Sequence, residues 1–99
     1  MADRQQARYL RVSEHAVCQA RKRGMPGEVI PYVVAHGKRY HFNGGEWYYL
    51  RRRDIAWADR TRFERFAGVT VLIAQDTNLV VTVFRLKRWR RDLVLAQTA

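Results

Sequence analysis

From Ser13 to Gly37 the chain is built of helix-forming segments, and from Lys38 onward aromatic and β-branched residues take over in short runs. Ser13 suits an N-cap, and 14–23 holds good helix formers ahead of Gly24, which fits the left-handed C′ position. Glu14 at one end and Arg21, Lys22 and Arg23 at the other complement the helix dipole, so caps and charge agree on a helix over 14–23. Pro26 and Gly27 read as a connector, and 28–36 as a second short helix that Gly37 closes at C′. Pro31 falls in its first turn, where a missing N–H removes no intrahelical bond.

Residues 39–42 and 46–51, separated by Asn43, Gly44 and Gly45, have the spacing of a β-hairpin. A second hairpin is predicted from Val69–Ala74 and 79–84, joined by Gln75, Asp76, Thr77 and Asn78. The near-continuous apolar character of these runs puts them at the centre of the sheet or covers them on both faces. Between the hairpins, Ile55, Trp57, Phe63 and Phe66 fit either a short helix or a loop anchored by its aromatics, so 54–68 is expected to connect with a helical turn or more. The expected fold class is α+β, with two N-terminal helices packed on a small, mainly antiparallel sheet of about four strands. Residues 1–10 read as a flexible N-terminal segment and 11–99 as a single domain with a basic C-terminal segment. There, 93–95 would extend a strand, form a short helix or fray.

Composition adds a partner class to this architecture. In 99 residues, 47% apolar and 12% aromatic content supports one hydrophobic core. Nineteen Lys and Arg against nine Asp and Glu leave a formal charge of +10, which repels itself until a polyanion relieves it. Most of these cations are arginines, whose rigid forks match phosphate oxygens and stack on bases, so RNA or DNA is favoured over an acidic protein. One cysteine excludes an internal disulfide, and no apolar run approaches the roughly 20 residues that span a bilayer. With no apolar leader core at the N-terminus either, the expected setting is cytoplasmic and away from membranes.

Candidate chemistry is sparse. The sequence has no P-loop, dinucleotide fingerprint, HExxH or paired-cysteine pattern, and His15, His36, His41 and Cys18 do not make a ligand set, so neither metal nor cofactor is expected. Cys18 reads as a core residue. His15 supplies a group of near-neutral pKa, which metal-free RNA cleavage needs to move a proton while cations stabilise the charged phosphorane. Helical spacing puts Cys18, Gln19, Lys22 and Arg23 on its side and Arg21 on another, favouring Arg23 as its partner. The plainer alternative is that His15 only starts the helix or packs beneath the sheet. His41 alternates away from Tyr40 and Phe42 as a solvated strand residue, and His36 sits where the helix dipole favours it.

Two basic clusters remain. Arg51, Arg52 and Arg53 close the first hairpin, where they would contact successive phosphates, with Trp47, Tyr48 and Tyr49 either offering stacking faces or filling the core. Arg85, Lys87, Arg88, Arg90 and Arg91 put five basic residues in the seven positions 85–91, a run suited to gripping backbone rather than reading bases.

The order of short motifs resembles a family, the small bacterial and phage DUF4258 domains grouped with RelE-like (BECR-type) toxin folds. The matching residues are Ser13, Glu14, His15 and Ala16, then Arg21, Arg23 and Gly24, the helix end at Gly37, the hairpin residues 45–48, and Val81, Thr82, Val83, Phe84 and Arg85. The resemblance covers roughly residues 11–88. It implies a metal-independent ribonuclease-like domain in which His15 moves a proton, Arg21 or Arg23 together with Arg85 stabilises phosphate charge, and Thr82 positions it. Phe84 stands where the family often has tyrosine, so a route through that hydroxyl is closed. The expected function is thus a metal-independent RNase or toxin-type domain acting on RNA, ahead of DNA. A non-catalytic nucleic-acid-binding module or regulator from a phage or mobile element is the alternative. An acidic antitoxin or immunity protein is the expected protein partner.

Overall fold

The computed structural model describes residues 10–42 and 44–86. Over these residues the chain forms helices α1 (Glu14–Lys22), α2 (Val29–His36) and α3 (Arg60–Phe63) and strands β1 (Arg11–Val12), β2 (Lys38–Phe42), β3 (Gly45–Tyr49), β4 (Val69–Ala74) and β5 (Leu79–Arg85). Short 3-10 turns at Arg52–Asp54, Trp57–Asp59 and Glu64–Phe66 fill the segment between the hairpins.

Ser13 starts α1 from an extended backbone, its Oγ accepting the Ala16 N–H at 3.1 Å. The helix ends one residue earlier than the charge pattern predicts. Arg23 is the C-cap, and the amides of Gly24 and Met25 close back on the carbonyls of Arg21 and Ala20, the paired bonds of a Schellman stop. Pro31 is the third residue of α2, inside the turn that tolerates it. Gly37 does not take the left-handed conformation predicted for it: its φ is −71°. Glycine is needed there for space instead, because a Cβ would meet the Val33 carbonyl oxygen at 2.6 Å and that of Tyr49 at 3.0 Å.

The sheet order is β1-β5-β4-β3-β2, with β1 parallel to β5 and every other neighbouring pair antiparallel. The class is α+β as predicted, with five strands where about four were expected. The extra strand, β1, is two residues long and too short to show a period. In β5 the register with β4 skips from Val80 to Thr82, leaving Val81 as a bulge.

One face of the sheet carries Tyr48, Leu50, Val69, Val71, Ile73, Val80 and Val83 into a single buried cluster with both long helices. Helix α1 contributes only Ala16 and Ala20, small residues four apart that let it lie close to β5, while α2 contributes Val29, Ile30, Val33 and Val34. Cys18, read above as core, is exposed, because it falls between the two alanines and so on the opposite side of α1. Ile55, Phe63 and Phe66 of the connector close the cluster. On the other face, Thr70 is fully buried and Leu72 half-buried, so β4 is covered on both faces as its apolar run predicts. No helix among the described residues is long and apolar enough to cross a membrane.

Candidate nucleic-acid interface

Three of the described arginines meet at one end of the sheet. Where β3 leaves the sheet, β4 enters it and β5 leaves it, Tyr49, Leu50, Arg51, Arg52, Ala67, Gly68, Arg85 and Leu86 line a cleft of about 360 Å³. Its floor is stitched by backbone bonds. The Gly68 N–H donates to Leu50 O at 2.7 Å, and the Leu86 N–H donates to Gly68 O at 2.8 Å. Gly68 adopts φ +94°, and a Cβ there would meet Leu86 O at 2.6 Å, so only glycine lets the two chain segments approach this closely. The Arg85 stem runs along the same spot, its Cγ 3.4 Å from that would-be Cβ.

The cleft arginines are not equivalent. Arg51, predicted to end a strand beside Arg52 and Arg53, instead caps the 3-10 turn Arg52–Asp54, because β3 stops at Tyr49 and the chain bends. Its guanidinium clasps Asp54 with Nε to Oδ2 at 2.8 Å and Nη2 to Oδ1 at 2.7 Å, and its backbone N–H adds a third bond at 3.0 Å. These bonds, against the opposing pull of burial, hold the Arg51 pKa above its ordinary value. For Asp54, burial pushes the pKa up, yet the Arg51 hydrogen bonds and charge outweigh it and hold the carboxyl below the usual range. Arg51 is therefore a bracing residue with its charge answered. Arg52 pairs with Glu64 across a solvent-exposed gap, a kind of bridge that contributes little and exchanges readily for another anion. Arg85 is exposed and has no ion partner among the described residues, whereas Arg53, exposed just outside the cleft, adds its charge to the field that keeps Asp54 ionised.

The residues that the family resemblance links do not form one cluster. His15 is exposed in the first turn of α1, with no hydrogen bond or ion pair among the described residues. Its place is set by Ser13, which donates its N–H to Val80 O at 3.0 Å and its Oγ to Val81 O at 3.1 Å, so the start of α1 is pinned next to Thr82 in the chain. Arg23, eight residues on, lies about 12 Å farther along the helix axis, where it hydrogen-bonds Gln19, and Arg21 is exposed in the same last turn. Thr82 pairs with Leu72 on the face away from the helices, whereas Arg85 pairs with Val69 on the helix-side register at the strand's end. Phe84 meets the Trp47 ring edge-on at 6.2 Å on that outer face. Of the three aromatics weighed above, Tyr48 is core while Trp47 and Tyr49 are half-buried on the other face. Lys87, Arg88, Arg90 and Arg91 lie outside the described residues, as do 1–9 of the N-terminal segment and 93–95.

Three residues carry more of this surface than sequence reasoning assigned them. Tyr32 on α2 stacks on Phe63 at 3.9 Å and on His36 at 4.2 Å. Its hydroxyl donates to Asp59 Oδ2 at 2.9 Å and accepts the Ala56 N–H at 3.3 Å. Burial, then the Asp59 hydrogen bond, raise its pKa, so it stays a donor. Between those two anchors stands Trp57, 84% exposed, with the Arg60 guanidinium 5.5 Å from its ring centroid. An isolated tryptophan in a polar connector was the available signal. Among the described residues no group of His, Cys, Asp and Glu is arranged to hold a metal. Comparisons with family models, with curated proteins and with solved structures find no match for this chain.

Proposed function

We propose that the protein binds RNA through the arginine-lined end of its sheet. The observation that carries this is the cleft at Gly68, where Arg85, without an ion partner among the described residues, and the loosely paired Arg52 flank Tyr49 on a floor stiffened by backbone bonds. Two cations converging on a concave site suit adjacent phosphates, and the formal charge of +10 strengthens encounter with any polyanion. RNA is placed ahead of DNA on the resemblance to RelE-like domains, which also supports a cytoplasmic setting and an acidic antitoxin or immunity protein as the partner that covers the cleft. Titrating a labelled RNA at a series of salt concentrations tests the proposal. Affinity should fall steeply with salt, and Arg52→Ala with Arg85→Ala should flatten the fall; a salt-independent affinity would overturn it.

A second reading, metal-independent RNA cleavage, draws on the resemblance and on one observation: His15 is exposed to solvent at the helix start that Ser13 ties to β5. In it, His15 moves the proton, and Arg85 with Arg21 or Arg23 stabilises phosphate charge. Incubating RNA with the protein in EDTA, alongside His15→Ala, decides it. Products that disappear with His15→Ala while binding persists support cleavage; RNA that is bound but intact at every protein concentration leaves a binding module, the alternative named above.

A further inference from the structure

The connector that leaves the arginine cleft builds a second concave site. Arg52, Trp57, Ala58, Arg60, Thr61 and Glu64 line it, enclosing about 520 Å³. Arg52 belongs to both clefts, so the two are continuous along one surface. At 84% exposure Trp57 is one of two large exposed hydrophobic residues among those described, and nothing in the core explains an indole there.

The turn that bears the ring is braced. Ala56 on one side and Asp59 on the other are both bonded to the Tyr32 hydroxyl, and the Asp59 N–H closes the turn onto Ala56 O at 2.8 Å. Arg60 packs against the indole as a cation–π neighbour. The Arg60 Nε is buried with no hydrogen-bond partner among the described residues. Trp57 therefore presents an exposed ring on a braced turn, with Arg60 against it and Arg52 in the same cleft.

The geometry points to Trp57 as a stacking platform for a nucleobase of single-stranded RNA whose neighbouring phosphates run between Arg60 and the Arg52–Arg85 cleft. This rests on the RNA-binding reading above and names the strand state. A duplex keeps its bases stacked on one another and offers the indole no free face, whereas a single strand offers one at each nucleotide. An apolar protein partner fits less well, because the tryptophan stands in a cleft whose other walls, Ala58 apart, are the polar or charged Arg52, Arg60, Thr61 and Glu64.

The test compares a labelled uridine-rich single-stranded oligoribonucleotide with an RNA duplex of equal charge, against the wild type, Trp57→Ala and Trp57→Phe. Trp57 is too exposed for its loss to unfold the domain. Trp57→Ala should weaken single-strand binding about tenfold or more, Trp57→Phe should restore most of it, and the duplex should be little affected. Equal losses on both RNAs, or no loss on either with wild-type binding intact, would overturn the stacking platform and leave the cleft proposal standing. Failure of the wild type to bind either RNA would overturn both.

Discussion

Ser13 Oγ donates to the Val81 carbonyl at 3.1 Å while accepting the Ala16 N–H at the same distance, so one hydroxyl both starts α1 and fixes it to β5. Ser13→Ala removes the cap and the tie together and should cost about 1–3 kcal/mol. In a domain of this size that lowers Tm by roughly 4–8 °C for each kcal/mol, read by thermal denaturation. Ser13→Asp keeps the acceptor but not the donor, so its Tm should fall between the two. An unchanged Tm for Ser13→Ala would show that the bond to Val81 contributes nothing.

Much of this arrangement is legible in the residues themselves. The Ser13 cap, the stop at Gly24 and the two hairpins follow from local signals that act within a few positions, and the structure places α1, α2 and β2 to β5 within one or two residues of them. What the chain conceals is long-range. β1 exists because Arg11 and Val12 lie beside Leu79 and Val80, a pairing that no local period announces. Cys18 is exposed because two alanines, not the bulkier residues, are what α1 needs to approach β5. The candidate site shows the same division: arginine runs are visible as runs, but that Arg51 is locked by Asp54 while Arg85 has no ion partner among the described residues depends on where the chain bends.

The Asp54 clasp gives the fold an acid-sensitive element. The folded pKa of Asp54 lies below its unfolded value, near 4, so its contribution is fully present above that pH and is lost as pH falls through the folded value. The wild type should lose Tm on acidification below about pH 4. Asp54→Asn should start less stable at neutral pH and change less over the same acid interval. Parallel Tm curves for the two proteins would remove Asp54 as the source.

Gly68 is the position where backbone geometry and the cleft meet. Gly68→Ala must accept φ +94° and a Cβ 2.6 Å from Leu86 O, so it should destabilise by more than about 1 kcal/mol and weaken RNA binding by moving Arg85. Gly27→Ala, with open space at its Cβ and no left-handed φ, serves as the control and should leave both unchanged. Wild-type stability in Gly68→Ala would mean that the strand ends can separate without cost.

Arg51 and Arg85 line the same cleft yet should fail differently when removed. Arg51→Ala deprives a largely buried carboxylate of its bidentate partner, so the loss appears as a lower Tm, by an amount comparable to breaking a charged hydrogen bond, about 1.5–3 kcal/mol. Arg85→Ala leaves no acid orphaned among the described residues, so Tm should hold. Its loss appears instead in RNA affinity, with the slope of log affinity against log salt falling by about 0.7 for one single-strand phosphate. If Arg51→Ala flattened the salt slope while Arg85→Ala lowered Tm, the division of the cleft into a bracing and a binding arginine would be reversed. The converse pattern ties phosphate contact to Arg85, the cleft guanidinium that no acid among the described residues answers.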